Sequence, residues 1–167
     1  MHLAILAILL AIWPWRPPQA TDRTYAQPAW RFSVRRDRFT GGVECRLFQG
    51  SAMSPAVAYA RRSLAFRFAR SPSTLEASYR IDRGPPLAWT KVYPALIAAG
   101  AGPPGGSMDN PTGGLVILPL TAIGGGHTVT IRPTPGSWPR TFHLDGLADT
   151  LATAKLQGCA PDAVFVR

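Results

Sequence analysis

Residues 64–70 read Leu-Ala-Phe-Arg-Phe-Ala-Arg and residues 75–82 read Leu-Glu-Ala-Ser-Tyr-Arg-Ile-Asp, with Ser-Pro-Ser-Thr between them. Apolar side chains at every second position mark half-buried strands, because successive side chains of an extended chain point to opposite faces. The spacing predicts a hairpin with Arg70 opposite Leu75, which sets Phe68 against Ala77, Phe66 against Tyr79 and Leu64 against Ile81. In that register Arg67 and Arg80 face outward.

The same alternation runs outward in both directions. In residues 30–35, Trp30, Phe32 and Val34 alternate with Arg31, Ser33 and Arg35, and in residues 43–49 Val43, Cys45 and Leu47 share one face. Residues 51–60 (SAMSPAVAYA) read as irregular, broken at Pro55. After Pro85-Pro86, residues 87–99 predict a short strand and then a helical turn, with Pro94 in the first turn, where its missing N–H is harmless. Residues 100–114 form a long Gly/Pro loop, and strands follow at 115–119, 127–133 and 141–144. Asp145 reads as a helix N-cap, Leu147, Leu151 and Ala154 recur at helical spacing, and Gly158 is a stop signal. The fold class expected is therefore mainly β: an antiparallel β-sandwich or rolled sheet with one C-terminal α-helix.

Composition agrees with one such unit. The chain has 167 residues, 46% hydrophobic and 16% charged, which suits a folded domain of ordinary size. It carries 18 Lys+Arg against 9 Asp+Glu, and only Lys91 and Lys155 among the basic residues are lysine. Arginine presents a planar fork that matches phosphate and carboxylate; a GC-rich genome also yields an arginine-rich chain whatever its function.

Residues 3–13 (LAILAILLAIW) are an apolar run ended by Pro14. It is shorter than the ~20 residues a membrane-spanning helix needs and has the length of a signal-peptide core. We expect a leader over residues 1–26, cleaved after Ala26 or, second, after Ala20, and an exported β-rich domain over 27–167, periplasmic or extracellular, with no membrane span. The alternative is a core helix over 3–13. Without residues 1–26 the basic excess is still +8, so the charge belongs to the domain. In an oxidising compartment two cysteines predict one bridge, Cys45 to Cys159, the alternative being a free catalytic thiol. Closing so long a loop stabilises by about 4–5 kcal/mol in the chain-entropy account.

Chemistry is sparse. Gly100-Ala-Gly102-Pro-Pro-Gly105 spells a dinucleotide fingerprint, but its prolines lack the N–H groups that hold a pyrophosphate and no helix follows. No cofactor or metal motif stands out. A secreted hydrolase would have to use His127 or His143, with Asp145 two residues beyond the latter, and no nucleophile elbow is present. Aromatic and arginine residues alternate, so they lie on opposite strand faces and do not form a nucleic-acid stacking platform. Arg31, Arg67, Arg80 and Arg132 all fall at outward positions. If their strands share a sheet, they form a basic face for an anionic partner: a lipid headgroup, a polysaccharide or an acidic protein. An inhibitor or immunity-type protein using the 100–114 loop as a plug is a further alternative.

The Trp30-Arg-Phe-Ser-Val34 strand, Glu44-Cys45-Arg46-Leu47, the Tyr79–Asp82 segment and Phe142-His-Leu-Asp-Gly-Leu147 together resemble small periplasmic proteins of the invasion-associated locus B type. The resemblance implies a β-sandwich-like exported domain without known catalytic residues and, for some members, a role at the cell envelope. The paired cysteines which those proteins carry mid-chain are missing here, and no functional residue is carried over.

Overall fold

The computed structural model describes residues 23–26, 29–51, 55–68, 74–98 and 114–159. Two antiparallel sheets make up a β-sandwich with a C-terminal helix, as the alternation predicts. The large sheet has the strand order β1 (Arg23–Ala26), β2 (Arg31–Arg36), β3 (Val43–Gly50), β4 (Pro55–Ala60), β5 (Ser63–Phe68) and β8 (Gly114–Pro119). The small sheet has the order β10 (Arg140–His143), β9 (Thr128–Arg132), β6 (Ser78–Ile81) and β7 (Leu87–Ala88). A 3-10 turn at Trp89–Val92 leads into α1 (Tyr93–Ala98); α2 (Leu120–Ile123) and α3 (Leu147–Leu156) complete the elements.

Alternation places the side chains as expected but not the strand partners. Leu64, Phe66, Phe68 and Tyr79 are all buried, yet β5 and β6 do not pair. β5 runs between β4 and β8, with Val57 opposite Phe66 and Leu64 opposite Leu118; β6 lies in the other sheet between β7 and β9. The predicted hairpin is thus corrected to a crossover between sheets. Its physical reason is the segment read as irregular. Pro55 stands at the first residue of a strand, a position that needs no ladder N–H. The turn from β4 to β5 is Arg61-Arg62, both at positive φ (45° and 58°). This is the backbone of a tight two-residue hairpin, which usually announces itself with Asn or Gly. Two arginines hide it.

The core lies between the sheets. Phe142 of β10 packs against Phe66 of β5 with the rings tilted and their centroids 4.9 Å apart, and meets Phe68 edge-on at 5.9 Å. The open edge of β8 is satisfied by side chains: Thr74 Oγ1 donates to the Leu115 carbonyl at 2.8 Å and Trp89 Nε1 to the Ile117 carbonyl at 2.6 Å. Both donors are fully buried, so this edge offers no template to another chain.

At the C-terminal end, Asp145 is not the cap expected. Gly146, at φ 80°, takes the N-cap position without a side-chain bond, and its carbonyl accepts from the Thr150 N–H and hydroxyl. The Asp145 carboxylate turns instead to His127. Gly158, at φ 83°, ends the helix as predicted. Cys159 then bonds Cys45 across 114 residues, with the Cα atoms 6.0 Å apart, and ties α3 to the inner face of β3. Residues 1–22 of the expected leader and nearly all of the 100–114 loop lie outside the described residues. Residues 23–26, also assigned to the leader, form β1 and pair with β2 from Arg23 opposite Val34 to Ala26 opposite Arg31. No helix among the described residues is long and apolar enough to cross a membrane.

Candidate anion-binding site on the small sheet

The four outward arginines do not form one face, because their strands divide between the sheets. Arg31 and Arg67 stand on the outer face of the large sheet with β3 and β4 between their strands. Three strand spacings of about 4.8 Å put those strands ~14 Å apart. The nearer part of that face carries its own acid, as Arg46 meets Glu44 at 3.7 Å.

Arg80 and Arg132 stand on the outer face of the small sheet and are neighbours. The register sets Ser78 opposite Arg132 and Arg80 opposite Thr130, so the two arginines are diagonal partners with Cβ atoms about 7–8 Å apart. The residues between them, Tyr79 and Ile131, are buried and fix both strands on the core. Burial also pushes the Tyr79 phenol above its usual range. Arg80 and Arg132, with Ser78, Thr130 and the rings of Pro86 and Pro139, line a concavity of about 230 Å³. The Thr130 hydroxyl bonds that of Thr141 on β10 at 3.0 Å, which extends the hydroxyl surface by one strand.

The electrostatics of this concavity are one-sided. Neither Arg80 nor Arg132 has an ion-pair partner among the described residues. The acid nearest in sequence, Asp82, is committed to the backbone: its carboxylate accepts from the Thr128 N–H at 2.7 Å, the Thr128 hydroxyl at 3.1 Å and the His127 N–H at 3.0 Å. The bond from the Thr128 N–H, with the other two and the nearby His127, holds that carboxyl below its ordinary range. Two guanidiniums beside hydroxyl donors have the chemistry to hold a phosphate, sulfate or carboxylate, since charge-assisted bonds from arginine are the strong, directional ones. Trp138, next in the chain to the lining Pro139, is 92% exposed. Neither this ring nor the Asp82 clamp was apparent in the sequence, and only the Gly136-Ser-Trp-Pro139 turn composition hints that Trp138 is held out.

The histidines are arranged differently. His127 Nδ1 lies 3.2 Å from Asp145 Oδ1, but the two side chains are 82% and 64% exposed, and His143 is exposed as well. Among the described residues no Ser, Thr or Cys side chain bonds the His127 ring. Such a dyad in open solvent has no enclosed space in which to hold a substrate against a nucleophile. No group of three His, Cys, Asp or Glu side chains among the described residues is placed to hold a metal ion. No protein family, no curated protein and no solved structure matches the chain.

Proposed function

We propose that the protein is an exported, non-catalytic binding domain whose small sheet engages an anionic polysaccharide of the cell envelope. The observation that carries this reading is the pair Arg80 and Arg132 in one concavity with Ser78 and Thr130 and with no acidic partner among the described residues. The hydroxyls and the two proline walls suit a sugar ring bearing a phosphate or carboxylate. The exposed Trp138, next in the chain to the lining Pro139, offers a flat aromatic surface on which such a ring can stack. A glycerol lipid headgroup shares the charge and the hydroxyls but has no sugar ring to lie between the proline walls.

Export is supported by the disulfide, a bond that persists in oxidising compartments, and by the apolar run at 3–13. Cleavage after Ala20 keeps β1 with the large sheet, whereas cleavage after Ala26 removes it. The secreted chain should therefore begin at Thr21; a chain beginning at Gln27 contradicts this.

The test uses the exported chain on immobilised polygalacturonate, with neutral dextran and phosphatidylglycerol vesicles as comparison surfaces. Retention on polygalacturonate alone, released by salt, is expected. The Arg80→Ala, Arg132→Ala double variant should lose at least about tenfold in affinity, since one bond to a charged group contributes ~1.5–3 kcal/mol. Arg31→Ala with Arg67→Ala should change little. Equal loss in both double variants would mean a diffuse basic surface, and preference for the vesicles would move the assignment to a lipid.

A further inference from the structure

The inner face of the large sheet is shared by two covers. The small sheet lies over β5 through Phe142, and α3 lies over β2 and β3, where the Cys45–Cys159 bond holds it. The helix has only ten residues, and two of those that face the sheet or its rim are Ala152 and Ala154. They leave a cavity of about 430 Å³ walled by Phe32, Leu47, Tyr59, Leu151 and the disulfide. Protein interiors seldom hold voids larger than a water molecule. A preformed apolar space of this size falls within the range of small-molecule sites.

Its charged residues are both cations. Arg62 and Lys155 are exposed and line the cavity together, and no acid among the described residues lines it. Lys155 has no ion pair among the described residues. We infer that this cavity binds a small anionic amphiphile, with its apolar body against Phe32, Leu47 and Leu151 and its charged end at Lys155. The site lies on the opposite side of the large sheet from Arg31 and is lined by neither Arg80 nor Arg132. It stands or falls separately from the polysaccharide reading.

The experiment is calorimetric titration of the oxidised exported chain with dodecanoate and, separately, with uncharged dodecanol. Saturable uptake of one dodecanoate per chain is expected, with dodecanol binding at least about tenfold more weakly because it lacks the charge-assisted bonds. Ala152→Trp, at an exposed position on the rim, should abolish uptake while the chain still melts cooperatively. Lys155→Glu, a surface change that spares the core, should weaken dodecanoate and leave dodecanol unchanged. Arg80→Ala with Arg132→Ala should bind dodecanoate as the parent does. Absence of saturable uptake by the parent chain overturns the inference, as does equal uptake by Ala152→Trp or equal affinity for acid and alcohol. The eight residues after Cys159 include Val164-Phe165-Val166. If only a Phe165→Asp variant takes up dodecanoate, the cavity belongs to the chain's own C-terminal segment and the inference is again overturned.

Discussion

The two sheets carry arginine at the same kind of position, yet only one of them gathers it. On the large sheet, Arg31 and Arg67 have two strands between their own, and the Arg46–Glu44 pair lies on the same face. On the small sheet, a single register places Arg80 and Arg132 diagonally, and Asp82 is occupied by backbone donors. Outward position alone therefore does not make a site. Strand order and the fate of neighbouring carboxylates do.

The sheets are also held differently, and this can be broken in steps. Cys45→Ser with Cys159→Ser should cost about 4–5 kcal/mol by releasing a loop constraint in the unfolded chain. Because the bridge ties α3 to the large sheet, polygalacturonate binding measured well below the lowered melting temperature should persist. Loss of binding in that folded state would show the two sheets to be coupled.

Phe142→Ala attacks the packing that seats the small sheet. Phe142 is 6% exposed and touches both Phe66 and Phe68, so truncation should cost about 3–5 kcal/mol in denaturant melts. A smaller effect, of opposite sign, is expected in the turn of the large sheet. Arg61→Asn places a residue that tolerates positive φ at a φ of 45° and should raise stability by about 1 kcal/mol. A destabilised variant would mean that the Arg61 side chain outweighs its backbone strain.

The smallest effect separates the sheets by pH. The folded pKa of Asp82 is held below the ordinary carboxylate value, chiefly by the Thr128 N–H. Its contribution is therefore fully present above the unfolded value and is lost as pH falls through the lower, folded value. The melting-temperature gap between the parent and Asp82→Asn should hold at neutral pH and narrow only below about pH 4. A gap that is flat down to pH 2 would assign the Asp82 bonds no role.

Much of this was legible in the sequence, for a definite reason. Period-two alternation reports which face a side chain takes, and so Phe32, Cys45, Phe66 and Tyr79 were read correctly as inward. It says nothing about which strand lies alongside. The pairing of 64–70 with 75–82 failed because Arg61-Arg62 forms a tight turn without the residues that usually mark one, so β4 went unseen. Asp145 failed as a cap because a polar residue before a helix has other partners in three dimensions, here His127. The bridge from Cys45 to Cys159 was legible since two cysteines allow one connectivity. The separation of the arginines into a scattered pair and a gathered pair was not, because it depends wholly on the crossover between sheets.

The central claim, that the gathered pair is the anion receptor, is tested most directly by following the arginine side-chain N–H resonances during titration with galacturonate. The signals of Arg80 and Arg132 should shift together and saturate, while those of Arg31 and Arg67 stay in place. Parallel, unsaturating shifts of all four would contradict it.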